Sequence, residues 1–224
     1  MKAFLLTESF LNKILHGVYE SLYPNKCLFC RKVLEDKDAF ACCIERSEDC
    51  GINVENIDKI YVPYKYEGLV SDCIFRFKYN GFKALAKPMA NGIFAGLEEN
   101  DGFGDFLVPV PLHPERLKMR GYNQSALLAV RLGTLLGLPV YDGLKRIKNT
   151  KRQAELRPEE RIENLAGAME VKDGFGLCVK DKHVVLVDDI LTTGSTAAEC
   201  GRVLRKAGAK RVDLVVFAGV VFGG

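Results

Sequence analysis

The sequence predicts an α/β protein with an open, mostly parallel sheet and helices on both faces. Three observations carry this. Two apolar runs with β-branched bias, residues 184–187 and 212–216, read as strands buried on both sides. Between them, residues 194–207 place Ala197, Ala198, Cys200, Val203, Leu204 and Ala207 at helical spacing, and Gly208 supplies a stop. Upstream, strand-like and helix-like segments alternate, as parallel strands joined by helical crossovers require.

Taken in order, residues 4–22 carry Phe4, Leu5, Phe10, Leu11, Ile14, Leu15, Val18 and Leu22 at helical spacing. They predict an amphipathic helix over residues 1–22. Residues 23–51 hold five of the eight cysteines and form a second segment. Residues 52–224 form the α/β domain. Within it, 58–66 alternate as a strand (Ile60, Val62, Tyr64, Tyr66), and two helices follow near 68–78 and 83–98. Residues 103–111 contain a short strand that ends in a proline-rich turn. A helix spans 124–136, with Ala126, Leu127, Ala129, Val130, Leu132, Leu135 and Leu136 on its apolar face and Asn123 as N-cap. Residues 140–147 read as a further strand, and 148–166 as a long polar connection.

Composition narrows the class. Thirty-two Lys and Arg against 29 Asp and Glu give a formal net charge of +3, too small to argue nucleic-acid binding by itself. Direct nucleic-acid binding is left open on this ground. No apolar run approaches the roughly 20 residues needed to span a bilayer. Glu8 and Asn12 interrupt the apolar start before a signal-peptide core could form, so the sequence predicts a cytoplasmic protein. In that compartment cysteines are metal ligands or core residues rather than disulfides. Cys73, Cys178 and Cys200 are expected to pack in apolar surroundings. His16, His113 and His183 are scattered and are assigned no role.

The chemistry concentrates in residues 183–196. Asp188 and Asp189 close the apolar run at the end where open α/β sheets bind ligands. Thr192, Thr193, Gly194, Ser195 and Thr196 then offer backbone N–H groups, hydroxyls and a helix start, which is what a phosphate monoester needs. The carboxylates suit sugar hydroxyls or Mg²⁺, both best met by oxygen acceptors. Together they point to a phosphorylated, metal-associated sugar. Arg116 and Arg120 could meet pyrophosphate oxygens bidentately, with Gly121 permitting close backbone approach. The polar connection, with Arg146, Thr150, Gln153, Arg161 and Asn164, reads as a lid that would keep water from a reactive centre.

In the cysteine segment, Cys27 and Cys30 have the C-x-x-C spacing that lets two thiolates reach a tetrahedral Zn²⁺. Cys50 with one of Cys42 and Cys43 could complete the set. The predicted ligands are Cys27, Cys30, Cys43 and Cys50, and so short a segment would need such a staple to order itself.

The run Val-Leu-Val-Asp-Asp-Ile-Leu-Thr-Thr-Gly-Ser-Thr (185–196) resembles the PRPP-binding signature of type I phosphoribosyltransferases. Residues 109–129 are similar to a segment typical of the ComF family. So is the set Arg146, Thr150, Gln153, Arg161, Asn164, Gly167 and Ala168. The likeness extends over about residues 24–220. One departure is that Glu45 stands where that family's fourth cysteine is expected, so the fourth metal ligand stays open among Cys50, Cys42 and Glu45.

The resemblance implies a type I phosphoribosyltransferase-like fold behind a zinc knuckle. It also implies a cleft for PRPP, or another phosphorylated ribose, with magnesium. Asp188 and Asp189 would hold ribose hydroxyls or the metal shell, residues 192–196 the 5′-phosphate, and Arg116 and Arg120 the pyrophosphate. The implied activity is an enzymatic transfer of phosphoribose to an unidentified acceptor. The alternatives are a non-catalytic PRPP sensor, or an accessory protein of DNA uptake in natural transformation that works with other DNA-uptake proteins.

Overall fold

The computed structural model describes residues 27, 32, 52–79, 81–97, 103–148 and 167–220. The chain divides into two compact units, Met1–Ile44 and Glu45–Gly224. In the first, the described residues are Cys27, whose side chain is buried, and Lys32, whose carbonyl accepts from the Cys27 amide at 2.8 Å. The helix expected over 1–22 and the remaining metal ligands Cys30, Cys43 and Cys50 lie outside the described residues.

The second unit is built on a parallel sheet. Its strands are β1 (Lys59–Tyr61), β2 (Tyr64–Lys65), β3 (Phe106–Pro109), β6 (His183–Leu191) and β7 (Arg211–Gly219), in the spatial order β1-β7-β6-β3. β1 and β2 lie one after the other along the same edge of β7. The single strand expected over 58–66 is thus split, and Pro63 stands at the break, where a missing N–H interrupts the ladder.

The two central strands are longer than their apolar runs suggest. β6 pairs with β7 from His183↔Arg211 through Leu191↔Gly219. Asp188 and Asp189 therefore sit within the strand rather than beyond its end, because the β7 backbone keeps offering partners past Val187. Side chains alternate across the sheet. On one face Phe106, Val108, Val184, Leu186, Val212, Leu214 and Val216 cluster with Ala197, Cys200, Val203 and Leu204 of the helix Ser195–Lys206. On the other face Leu107 meets the helix Gln124–Leu136, where a Cβ on Gly133 would stand 3.6 Å from Leu107 Cδ1. Helices thus cover both faces.

In chain order the helices are α1 (Gly68–Tyr79), α2 (Ala86–Phe94, after a 3₁₀ turn Lys83–Leu85), α3 (Pro114–Arg120), α4 (Gln124–Leu136), α5 (Phe175–Val179) and α6 (Ser195–Lys206). α4 begins as expected, with Asn123 Oδ1 accepting from the Ser125 amide at 3.0 Å, and ends at Gly137 in the left-handed region. α3 replaces the turn expected after β3. His113 is its N-cap, Pro114 opens it, and Gly121 at φ 75° closes it.

The strand expected over 140–147 is reduced to β4 (Leu144–Arg146), which pairs antiparallel with β5 (Met169–Val171) in a separate two-stranded sheet. Gly143 precedes it, and a Cβ there would fall 2.0 Å from the Phe175 ring, so the chain can pass only as glycine. Val140 contributes only an isolated bridge to Leu107. Among the described residues, no helix is long and apolar enough to cross a membrane.

Candidate functional site

A cleft of about 950 Å³ opens at the carboxyl ends of the central strands. Its charged lining consists, among the described residues, of Asp188, Asp189, Lys78, Arg116, Arg120 and Arg146. Four cations face two carboxylates, which suits a polyanionic ligand with a hydroxyl-bearing part.

The carboxylates are held differently. Asp188 Oδ1 accepts from Ser125 Oγ at 2.7 Å and from the Asp189 amide at 2.8 Å. Burial pushes the Asp188 carboxyl up to about 6, and repulsion from Asp189 adds to this, while Lys78 and the Ser125 bond oppose it. Asp189, 4% exposed, forms an ion pair with Lys78, whose Nζ is 2.8 Å from its Oδ1.

The phosphate-cradle candidates follow directly. Leu191 ends β6, and the turn 192–194 leads into α6. Thr192, Thr193, Gly194 and Thr196 line the cleft, and Ser195 Oγ lies 2.9 Å from Thr193 Oγ1. Gly194 has φ 75°, and a Cβ on it would stand 2.5 Å from Val54 Cγ2. Conformation and space both demand glycine there.

Residues 120–125 tie the opposite wall together. The Tyr122 hydroxyl donates to the Phe77 carbonyl, and Gln124 Nε2 to the Lys78 carbonyl at 3.4 Å. Asn123 Nδ2 donates to the Val110 carbonyl at 3.0 Å. Arg120 donates to Gln124 Oε1 at 3.1 Å and lies 5.0 Å above the Tyr79 ring. Consecutive side chains thus fasten α1, the end of β3 and Asp188 to the start of α4. Gly121 serves as the cap of α3, with open space where its Cβ would be, and does not itself line the cleft.

Arg146, read from the sequence as part of a lid, is 8% exposed on β4 and lines the cleft. Burial lowers its pKa, and the like charge of Arg116, which lines the same cleft, lowers it further. Thr150, Gln153, Arg161 and Asn164 lie outside the described residues. Cys73 and Cys200 are buried as expected, whereas Cys178 is exposed on α5, because that short helix turns only Val179 into the core.

Sequence reasoning missed Lys78 and Ser125. Ser125 sits 63 residues from Asp188 and resembles any hydroxyl in a first helical turn. Lys78 is one of two basic residues on α1, with nothing local to mark it.

Comparison with known proteins places this geometry in a family. A model of the phosphoribosyl transferase domain matches residues 129–220. Competence protein F of Haemophilus influenzae is 31% identical over 168 residues, 70% of this chain and 71% of that protein. The chain belongs to the ComF family. DNA utilization protein YhgH of Escherichia coli K12 is 37% identical to this ComF-family chain over 111 residues, 49% of the chain and 47% of the relative. Competence protein ComFC of Bacillus subtilis is 28% identical over 148 residues, 65% and 57% of the two chains. The chain thus spans about half the length of these last two relatives.

The domain model covers α6 and the strand–turn–helix that carries Asp188, Asp189 and the hydroxyl turn. The fold of this ComF protein is accordingly that of a type I phosphoribosyltransferase: a mostly parallel sheet, with the acid pair and the turn at one end.

Proposed function

We propose that this ComF-family chain binds PRPP and transfers its phosphoribosyl group to an acceptor, releasing pyrophosphate. One observation carries the reading: the acid pair, the hydroxyl turn and four basic side chains all line a single cleft. The turn 192–196, at the start of α6, suits the 5′-phosphate. Asp188 and Asp189 suit the ribose hydroxyls, and Arg116, Arg120 and Arg146 suit the pyrophosphate. In the reaction the acceptor's lone pair forms a bond to ribose C1. The bond from C1 to the pyrophosphate oxygen breaks, and its electron pair leaves with pyrophosphate.

The cations lower the barrier by meeting charge that grows on the leaving group, and the cleft supplies orientation. Magnesium would add charge neutralisation on the pyrophosphate, and Asp188, a hard oxygen acceptor beside the phosphate site, would suit its water shell.

The test is calorimetric titration with PRPP, followed by assay of pyrophosphate release across nucleobases and amines. Binding with release supports transfer. Binding without release from any acceptor leaves a PRPP-sensing module. No binding overturns the reading.

A second reading is favoured by the relatives, two of which carry the name competence protein and one DNA utilization protein. In it the chain serves DNA uptake alongside partner proteins. Loss of transformation on deletion, with the cleft variant Asp188→Asn failing to restore it, would join the two readings.

A further inference from the structure

We propose that Lys78 is a resident counter-cation of the acid pair, so that a sugar phosphate enters the cleft without a divalent ion bridging Asp189. The inference rests on the phosphoribose reading above and concerns how that site balances its charge.

Two adjacent carboxylates, Asp189 buried and Asp188 half-buried, carry a large electrostatic cost unless a cation stands beside them. Here that cation is part of the chain. Lys78 Nζ lies 2.8 Å from Asp189 Oδ1, with the two side chains 18% and 5% exposed. The pair is shielded from solvent, unlike the surface pairs that contribute little.

The ammonium is also held in place rather than left on a free arm. Lys78 lies in the last turn of α1, where backbone carbonyls have no intrahelical partner. The Phe77 carbonyl accepts from the Tyr122 hydroxyl, and the Lys78 carbonyl from Gln124 Nε2. Phe77 itself is fully buried. The backbone that carries Lys78 is therefore fastened to α4, the helix whose Ser125 holds Asp188.

A metal bridging Asp189 would have to displace this ammonium. Among the described residues, no third His, Cys, Asp or Glu joins the pair to build a metal cage. Magnesium sheds its water reluctantly and is commonly carried on phosphate oxygens. Lys78 neutralises Asp189, and any magnesium stays with the pyrophosphate. The remaining carboxylate oxygens are left for sugar hydroxyls.

The experiment is calorimetric titration of the full chain with ribose 5-phosphate, in excess EDTA and again in Mg²⁺. The wild-type dissociation constant is expected to differ by less than about threefold between the two buffers. Lys78→Met should weaken binding in EDTA by about tenfold or more, or about 1.4 kcal/mol, with partial recovery in Mg²⁺. Lys78→Arg should stay within about threefold of wild type in EDTA. A purely structural lysine would not produce recovery by metal.

Wild-type binding that collapses in EDTA, or a Lys78→Met protein that binds as well as wild type, overturns the assignment. Should Lys78→Met not fold, the wild-type and Lys78→Arg titrations in EDTA decide alone. Binding that strictly requires Mg²⁺ removes only the role of Lys78. Absence of binding by wild type in either buffer removes the phosphoribose reading as well.

Discussion

Ser125 Oγ donates to Asp188 Oδ1 at 2.7 Å across 63 residues of sequence. The bond favours the ionised carboxylate against burial and the neighbouring Asp189. Ser125→Ala removes that support. The Asp188 carboxyl is expected to titrate higher than about 6, as read by carboxyl carbon chemical shifts. Stability should fall by about 1.5–3 kcal/mol in urea unfolding, the range for a lost bond to a charged group. An unchanged titration would show that the serine does not tune the acid.

Stability should also depend on pH through Asp188. Its folded pKa, about 6, lies above its ordinary value of 3.8. Folding therefore favours the protonated form. That contribution is fully present below the ordinary value and is lost as pH rises through about 6. Asp188→Asn removes the buried charge, so its melting temperature should exceed that of wild type at pH 8. The gap should close below pH 4. A variant less stable than wild type at pH 8 would contradict the cost assigned to the charge.

Two glycines share φ 75° but differ in surroundings, and alanine separates conformation from space. At Gly121 a Cβ meets nothing within 4 Å, so Gly121→Ala should cost only the conformational strain, about 1 kcal/mol. At Gly194 the Cβ would stand 2.5 Å from Val54 Cγ2. Gly194→Ala should add overpacking and lose at least about 2 kcal/mol. Val54→Ala in the same chain should recover part of that loss. Equal costs at the two positions, by urea unfolding, would refute the packing argument.

The cysteines make a chemical prediction. Burial pushes the Cys73 thiol up to about 12, and raises that of Cys200 as well, with the Asp188 charge adding to the latter. Thiolate is the reactive form, so an alkylating reagent should spare both in the native protein. Exposed Cys178 should be modified first among these three. Peptide mass mapping before and after denaturation checks this. Native labelling of Cys200 would show that its pocket opens.

Much of the sheet and its helices was legible because burial leaves a period in the sequence. The runs at 184–187 and 212–216 mark strands whose side chains are almost wholly buried on both faces. The face of α4 and its cap Asn123 follow the same logic. α3 was missed for the converse reason. It buries none of its side chains, Leu117 and Met119 are 42% and 73% exposed, and seven residues leave no apolar stripe to read. Its signals were local: a proline at the first position and a glycine just past the end. The strand expected across Pro63 fails because periodicity records side chains and does not see a missing N–H.

By itself, the sequence determined the main parallel strands and the larger helices between them, the acid pair and the hydroxyl turn joining β6 to α6, but not α3, β5 or α5. These are local properties, set by residue type and spacing along a few consecutive positions. Only the tertiary structure decided that Lys78 would neutralise Asp189, that Ser125 would brace Asp188, and that Arg146 would line the same cleft as Arg116. Hydrogen bonds and ion pairs act over a few ångströms between groups far apart in the chain. The charge balance of the cleft therefore comes from packing α1 and α4 against the end of β6.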